Sequence, residues 1–125
     1  MKILVVDDST LDRKLLIRTL IKAELSQEIL QAEDGEQALE VLANNHQDIC
    51  IILLDWQMPK MNGIELIAGM MKIPVLSSIP IVMVTASGSE DNKKLARDIN
   101  PNLAGYIVKP YKPEELLQVL KPHLK

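Results

Sequence analysis

Carboxylate, hydroxyl and ammonium side chains follow short apolar runs at four places in this 125-residue sequence. In chain order, the groups are Asp7-Asp8 after residues 3–6, Asp55 after residues 49–54, Thr85-Ala86 after residues 79–84 and Lys109-Pro110 after residues 104–108. A single aspartate after a strand is usually a helix cap or a turn residue. The four groups together are harder to explain as helix caps and turn residues, because each group follows its own apolar run.

Three carboxylates and one lysine at a shared site would favour a bound cation. Two carboxylates ~4 Å apart repel each other by about 4 kcal/mol at an effective dielectric constant of ~20. Ligation by a few carboxylates and water suits Mg²⁺. Mg²⁺ beside aspartate, threonine and lysine is typical of phosphoryl transfer, in which a carboxylate can attack phosphorus in line. We therefore interpret this set as a site where an aspartate forms an acyl phosphate.

Five apolar runs, separated by segments of helical periodicity, would position these side chains. The runs are residues 3–6, 28–32, 49–54, 79–84 and 104–108. The first, third and fourth are nearly continuous in aliphatic residues, which is typical of parallel strands covered on both faces, and the more polar second run suits an edge strand. This alternation predicts a doubly wound α/β sheet, which binds ligands at the carboxyl ends of its strands.

Five helices are predicted between and after these strands. The segments are residues 37–45, 62–72, about 89–99 and 114–121, together with a first helix whose apolar stripe consists of Leu11, Leu15, Leu16, Leu20 and Ile21. Two of the helices also carry start signals. Ser9 with Asp12, and Asn62 with Glu65, each place a capping side chain three residues before an acid, which indicates the start of a helix.

Composition and charge exclude several classes of protein. The content of 47% apolar and 25% charged residues is that of a globular domain, not of a disordered or collagen-like chain. The formal charge of -3 argues against a surface for nucleic acid. Cys50 is the only cysteine, and the longest apolar runs are far shorter than the ~20 residues of a membrane span. We therefore expect a cytoplasmic protein that neither binds nucleic acid directly nor inserts into a membrane.

The motifs at the ends of the runs resemble those of response-regulator receiver domains, of the single-domain chemotaxis-regulator type, in two-component phosphorelay systems. The resemblance covers about residues 2–123 and rests on Asp7-Asp8-Ser9, Asp55-x-x-Met58-Pro59-x-Met61-Asn62-Gly63, Thr85-Ala86 and Lys109-Pro110. It implies one receiver domain over residues 1–125, with a flavodoxin-like sheet of five parallel strands in the order 2-1-3-4-5 and five helices. It also implies a phosphoacceptor switch, with no enzyme activity beyond its self-catalysed phosphorylation and dephosphorylation.

The resemblance implies a role for each residue of the site. Asp55 would be the nucleophile that accepts the phosphoryl group. The Mg²⁺ ligands would be Asp8, Asp7 largely through water, Asp55 and the backbone carbonyl of Gln57. The phosphoryl oxygens would be held by Thr85, the backbone N–H of Ala86 and Lys109. The bond between Lys109 and Pro110 would be a cis peptide.

Tyr106 matches the aromatic switch position of the family. It would rotate inward when Thr85 moves toward the phosphoryl group, and so reshape the face formed by the fourth helix, the fifth strand and the fifth helix. The implied partners are a sensor histidine kinase or a phosphotransfer protein, as the phosphoryl donor, and an effector protein at this face. The protein would be a monomer or a phosphorylation-dependent dimer.

Two alternatives stay open at the level of sequence. The chain could be the N-terminal receiver module of a larger response regulator with a DNA-binding or enzymatic output domain, instead of a stand-alone regulator. A phosphatase of similar fold is the weaker alternative. The expected phosphatases carry two aspartates separated by one residue after the first strand, and Asp7 and Asp8 are adjacent.

Overall fold

One parallel sheet with helices on both faces forms the protein. The structure is a computed structural model that describes residues 1–124; Lys125, the last residue of the predicted domain, lies outside the described residues. The strands are β1 (Lys2–Val6), β2 (Glu28–Ala32), β3 (Ile49–Leu54), β4 (Ile81–Thr85) and β5 (Gly105–Val108). Within residues 1–124 the α-helices are α1 (Thr10–Lys22), α2 (Gly35–Asn45), α3 (Gly63–Met71), α4 (Pro74–Ser77), α5 (Glu90–Ile99) and α6 (Pro113–Leu120).

The predicted topology is confirmed. The five strands are parallel and lie in the order β2-β1-β3-β4-β5. Strands β3 and β4 are buried along their whole length, and β1 is buried except at its first residue. The more polar β2 lies at one edge of the sheet, as its composition predicts, and the short β5 lies at the other.

The structure adds a one-turn helix, α4, to the five predicted helices, so the predicted fourth and fifth helices are α5 and α6. This turn also explains why β4 begins at Ile81 and not at residue 79. The Ile79 N–H donates to the Leu76 carbonyl at 3.1 Å and closes the turn, and Pro80 has no N–H to offer the sheet. Ile79, although buried and apolar, therefore belongs to the preceding turn and not to β4.

Two apolar layers cover the sheet. One layer packs α2 and α3 against one face through buried side chains that include Ala38, Leu42, Leu66, Ile67 and Met70. The other packs α1 and α6 against the opposite face through Leu16, Leu20, Leu116 and Leu120. Because both faces of the central strands are covered, their carboxyl ends are the places where polar side chains can leave the core.

The apolar stripe predicted for α1 is only partly buried. Leu16 and Leu20 lie in the core, but Leu11, Leu15 and Ile21 are exposed. At about 100° per residue, Leu16 and Leu20 are only ~40° apart around the helix axis, and the other three point elsewhere. The prediction of one continuous stripe was wrong because these five positions do not share a single helical face.

Candidate functional site

The register of the central strands places Asp7 beside Asp55. Val6 and Leu54 are partners in the pairing of β1 with β3, and each aspartate follows directly. The Asp55 N–H donates to the Val6 carbonyl at 2.9 Å, which extends the ladder by one bond. Backbone pairing between two buried strands thus places the two aspartates side by side at the strand ends.

Carboxylates of Asp7, Asp8 and Asp55 form one cluster, whose ligand oxygens all lie within 4.8 Å of one another. Asp7 and Asp55 are buried, at 5% and 9% exposure, and Asp8 is exposed. Opposite oxygens around an octahedral Mg²⁺ lie about 4.2 Å apart. The cluster therefore fits a hard divalent cation, with Asp8 on the solvent side. Gln57, predicted to add its carbonyl, is exposed two residues after Asp55.

The ammonium group of Lys109 contacts three carboxylates. Its Nζ lies 2.8 Å from Asp7 Oδ2, 2.9 Å from Asp12 Oδ2 and 3.6 Å from Asp55 Oδ2. Burial lowers the pKa of Lys109, but the hydrogen bonds to Asp7 and Asp12 and the charge of Asp55 raise it by more. The net pKa is above the usual value, so Lys109 keeps its positive charge at physiological pH.

Burial is also the main influence on the Asp7 carboxyl. It raises the pKa of Asp7, and the negative charge of Asp55 acts in the same direction. Hydrogen bonds from Lys109 and from the Ser9 N–H lower this pKa but do not cancel the effect of burial. The surroundings of Asp7 therefore disfavour its charged form.

The two predicted helix starts are confirmed, with Ser9 and Asn62 as the capping residues, but their acidic partners differ. At α3 a capping box is complete, with Glu65 N–H donating to Asn62 Oδ1 at 2.9 Å and Asn62 N–H to Glu65 Oε1 at 3.1 Å. At α1 the Asp12 N–H donates to Ser9 Oγ at 3.2 Å, but the Asp12 carboxylate accepts from Lys109 instead. The predicted start at α1 is therefore confirmed, and the Asp12 carboxylate pairs with an ammonium, which is a stronger partner than a neutral backbone N–H.

A tight loop after β3 holds the Asp55 side chain. The Trp56 N–H donates to Asp55 Oδ1 at 2.7 Å, and the Gly63 N–H donates to the Trp56 carbonyl at 2.8 Å. A β-carbon on Gly63 would lie 2.3 Å from the Asp55 backbone oxygen, so only glycine allows α3 to start this close to the strand end. Farther along the loop, Lys60 adopts a positive φ of 64°.

Thr85 and Tyr106 meet at the loop between β4 and α5. Thr85 is 1% exposed, and its Oγ1 accepts a hydrogen bond from the Ser87 N–H at 3.2 Å. The half-buried Tyr106 donates its hydroxyl to the Ser87 carbonyl, and the Lys93 ammonium lies 5.9 Å from the centre of its ring. Ala86, between Thr85 and Ser87, is exposed. Both ends of the predicted switch pair therefore touch the same short loop.

The bond between Lys109 and Pro110 is cis, as predicted. The Lys109 N–H donates to the Thr85 carbonyl at 2.9 Å, which continues the pairing of β4 with β5 by one residue. This contact brings the predicted phosphoryl-binding threonine and lysine to neighbouring strand ends.

Sequence reasoning missed Arg13. Its side chain is buried, with Nη1 donating to the Asp7 carbonyl at 2.7 Å and Nε to Gln31 Oε1 at 2.9 Å. Arg13 precedes the buried Leu16 and Leu20 by three and seven residues, so it shares their helical face. That spacing was the signal that a charged side chain would point inward.

These features define a doubly wound α/β domain with a site of carboxylates and one lysine at the carboxyl edge of its sheet. The model of the response regulator receiver domain family matches residues 3–121. The chain therefore belongs to this family and is a receiver of two-component phosphorelay signalling. The family consists of phosphoacceptor switches and not of enzymes in the usual sense.

Similar proteins agree with this assignment. The chain is 35% identical over 121 residues to a chemotaxis protein CheY homolog of Campylobacter jejuni, covering 97% of this chain and 90% of that protein. It is 38% identical over 123 residues to the phosphate regulon transcriptional regulatory protein PhoB of Pseudomonas aeruginosa, covering 98% of this chain and 51% of that protein. The structure of the phosphorylated cyanobacterial phytochrome response regulator RcpA matches with a TM-score of 0.80 at 29% identity, over 97% and 89% of the two chains.

Residues 1–124 contain no helix that combines the length and the apolarity needed to cross a bilayer.

Proposed function

We propose that Asp55 accepts a phosphoryl group from a sensor histidine kinase or a phosphotransfer protein. The observation that carries this proposal is the meeting of Asp55 with Asp7, Asp8 and Lys109 at one strand edge. An Asp55 carboxylate oxygen attacks phosphorus and forms the new O–P bond. The P–N bond of the donor phosphohistidine breaks, and its electron pair stays on the imidazole nitrogen.

Mg²⁺ would be held by the carboxylates of Asp7, Asp8 and Asp55 and by the Gln57 carbonyl. When bound, it supplies positive charge next to the phosphoryl oxygens. Lys109 supplies a second positive charge, because its ammonium already lies 3.6 Å from Asp55 Oδ2. The three carboxylates within 4.8 Å support this division of roles.

Thr85 and Ala86 would bind the remaining phosphoryl oxygens, through the Thr85 hydroxyl and the Ala86 N–H. The exposure of Ala86, and its small side chain, leave a path for the donor to approach. Thr85 would exchange its hydrogen bond from the Ser87 N–H for one to the phosphoryl group. Since Tyr106 is bonded to the same loop at the Ser87 carbonyl, this exchange would change the Tyr106 environment.

The effector would bind the face formed by α5, β5 and α6, which carries Tyr106. Tyr106 and the Lys93 ammonium above its ring connect α5 to β5, so a change in the Ser87 loop reaches both elements. This proposal keeps the receiver domain over residues 1–125. Several points stay predictions. They are the oligomeric state (monomer or phosphorylation-dependent dimer), the cytoplasmic location, the lack of direct nucleic-acid binding, and the choice between a stand-alone regulator and a module of a larger protein.

Intact mass after treatment with acetyl phosphate tests this proposal. The wild-type protein is expected to gain the mass of one phosphoryl group with Mg²⁺ and far less without it. Asp55→Asn is expected to gain none. Asp48→Asn is the matched control, because it changes an exposed carboxyl directly before β3, at the amino ends of the strands. Undiminished labelling of Asp55→Asn would refute the assignment. Multiple-turnover release of phosphate from small phosphomonoesters would favour the phosphatase alternative.

A further inference from the structure

Asp12 is a fourth carboxylate at the site, and none of the roles described above uses it. Its Oδ2 lies 2.9 Å from the Lys109 Nζ, nearer than the Asp55 Oδ2 at 3.6 Å. Asp12 stands in the first turn of α1, and its side chain is 40% exposed. In the structure, Lys109 is therefore paired more closely with Asp12 than with the proposed phosphoacceptor.

The sequence position of Asp12 gives it a local partner that it does not use. In a capping box its carboxylate would accept from the Ser9 N–H. That N–H donates to Asp7 Oδ1 at 2.9 Å, so the acceptor it needs is already supplied by Asp7. The Asp12 carboxylate is thereby left to pair with Lys109, 97 residues away in the chain.

We propose that Asp12 is a positioning residue that restrains Lys109 in the unphosphorylated protein and so slows the acceptance of a phosphoryl group. This inference rests on the proposed function of Asp55. Lys109 has three N–H donors, and two of them are engaged by Asp7 and Asp12. The third donor is left for a phosphoryl oxygen, but movement of the ammonium toward Asp55, now 3.6 Å away, is opposed by its 2.9 Å contact with Asp12.

The charge of Asp12 acts in the same direction as its hydrogen bond. Small phosphodonors and phosphohistidine approach the site as anions, and Asp12 adds a negative charge next to the lysine that would attract them. Because Asp12 is partly exposed, this effect is partly screened by solvent and salt. Asp12 thus opposes the reaction through competition for Lys109 and through repulsion of the donor.

Autophosphorylation kinetics of Asp12→Asn test this inference. Asparagine keeps the shape of the side chain and removes its charge. With acetyl phosphate, saturating Mg²⁺ and low ionic strength, we expect the rate constant to rise roughly threefold to fivefold. The increase should shrink at high salt, since the interaction is between charges. Asp12→Glu, which keeps the carboxylate, should stay near the wild-type rate.

Three controls separate this effect from a general change in charge, in metal affinity or in stability. Asp48→Asn removes one negative charge at the amino ends of the strands, away from the site, and should leave the rate of phosphorylation unchanged. A titration with Mg²⁺, followed by the fluorescence of Trp56 next to Asp55, sets the saturating concentration for each variant, so that metal affinity does not enter the comparison. Thermal unfolding checks that each variant is folded during the assay.

The possible outcomes distinguish this inference from the proposed function. A wild-type protein that takes up no phosphoryl group would overturn both. A labelled wild-type protein with an unchanged or slower Asp12→Asn variant would overturn the role of Asp12 alone. A faster Asp12→Asn variant whose gain does not depend on salt would also overturn it, because a charge effect must respond to screening.

Discussion

Arg13 donates from Nη1 to the backbone carbonyl of Asp7 in a buried hydrogen bond of 2.7 Å. The bond ties the first turns of α1 to the end of β1, at the residue that begins the carboxylate cluster. Glu33, 3.6 Å from Nη2, and the Gln31 side chain hold the rest of the guanidinium at the end of β2. A single side chain thus joins three elements behind the site.

We expect Arg13→Met to lower the free energy of unfolding by about 2 kcal/mol, because it leaves the Asp7 carbonyl without a charged donor in a buried place. Urea denaturation without Mg²⁺ measures this change. Arg18→Met, at an exposed position of the same helix, is the control and should stay within about 0.5 kcal/mol of wild type. Equal losses in the two variants would show that the Arg13 hydrogen bonds add nothing.

A methyl group on Gly63 should damage both stability and phosphorylation. The new β-carbon would lie 2.3 Å from the Asp55 backbone oxygen and 3.0 Å from the Trp56 Cα, so the start of α3 must move. We expect Gly63→Ala to cost roughly 1–3 kcal/mol of unfolding free energy and to slow labelling at Asp55.

Gly69, in the same helix, is the matched control for Gly63. A β-carbon there meets no atom within 4 Å. Gly69→Ala should therefore stabilise the protein by roughly 0.5–1 kcal/mol, since alanine restricts the unfolded chain and favours helix. If both variants lost stability equally, the close approach of α3 to Asp55 would not be the cause.

Asp7→Asn should stabilise the metal-free protein at neutral pH. Burial raises the pKa of Asp7, so the folded state binds this proton more tightly than the unfolded state does. The resulting stability is fully present below the unfolded pKa of 3.8 and is lost as the pH rises through the higher folded pKa. At neutral pH the wild-type protein therefore bears a buried charge that the asparagine variant lacks.

Urea denaturation in a chelator, at neutral pH and at decreasing pH, measures this difference. The advantage of Asp7→Asn should shrink as the pH falls toward 3.8. Asp48→Asn, with its exposed side chain, gives the baseline for losing one carboxylate. A wild-type protein as stable as Asp7→Asn at neutral pH, or a gap that does not depend on pH, would contradict the raised pKa.

The fold and the main site residues could be predicted because their signals are local. Continuous aliphatic runs mark buried parallel strands, and the residue after each run must lie at the carboxyl edge. Asp7 and Asp55 follow such runs, Lys109 follows the mixed apolar run of residues 104–108, and the three side chains do meet in the structure. Which of these groups carries the phosphoryl group stays a prediction, as do the metal ligands.

The partner of Asp12 and the partners of Arg13 are distant in the chain, so no local pattern identified them, although the spacing of Arg13 to Leu16 and Leu20 indicated its inward face. The local pattern at α1 pairs Asp12 with Ser9, but tertiary structure supplies Lys109 as a stronger partner. The burial of Arg13 becomes favourable only where the Asp7 carbonyl and the Gln31 side chain are there to accept its N–H groups. The local sequence predicts the position of a polar side chain in the fold, and contacts with distant residues determine its hydrogen-bond partner.

The order of the strands distinguishes central strands, in which local opening should be rare, from an edge strand, in which it should be easier. Asp7 and Asp55 extend from central strands whose neighbours cover them on every side, where local opening is rarest. Tyr106 belongs to the four-residue strand at the rim of the sheet, where opening costs least. If Asp55 accepts a phosphoryl group, we therefore expect β5 and the Ser87 loop to change more than the backbone of β1 and β3.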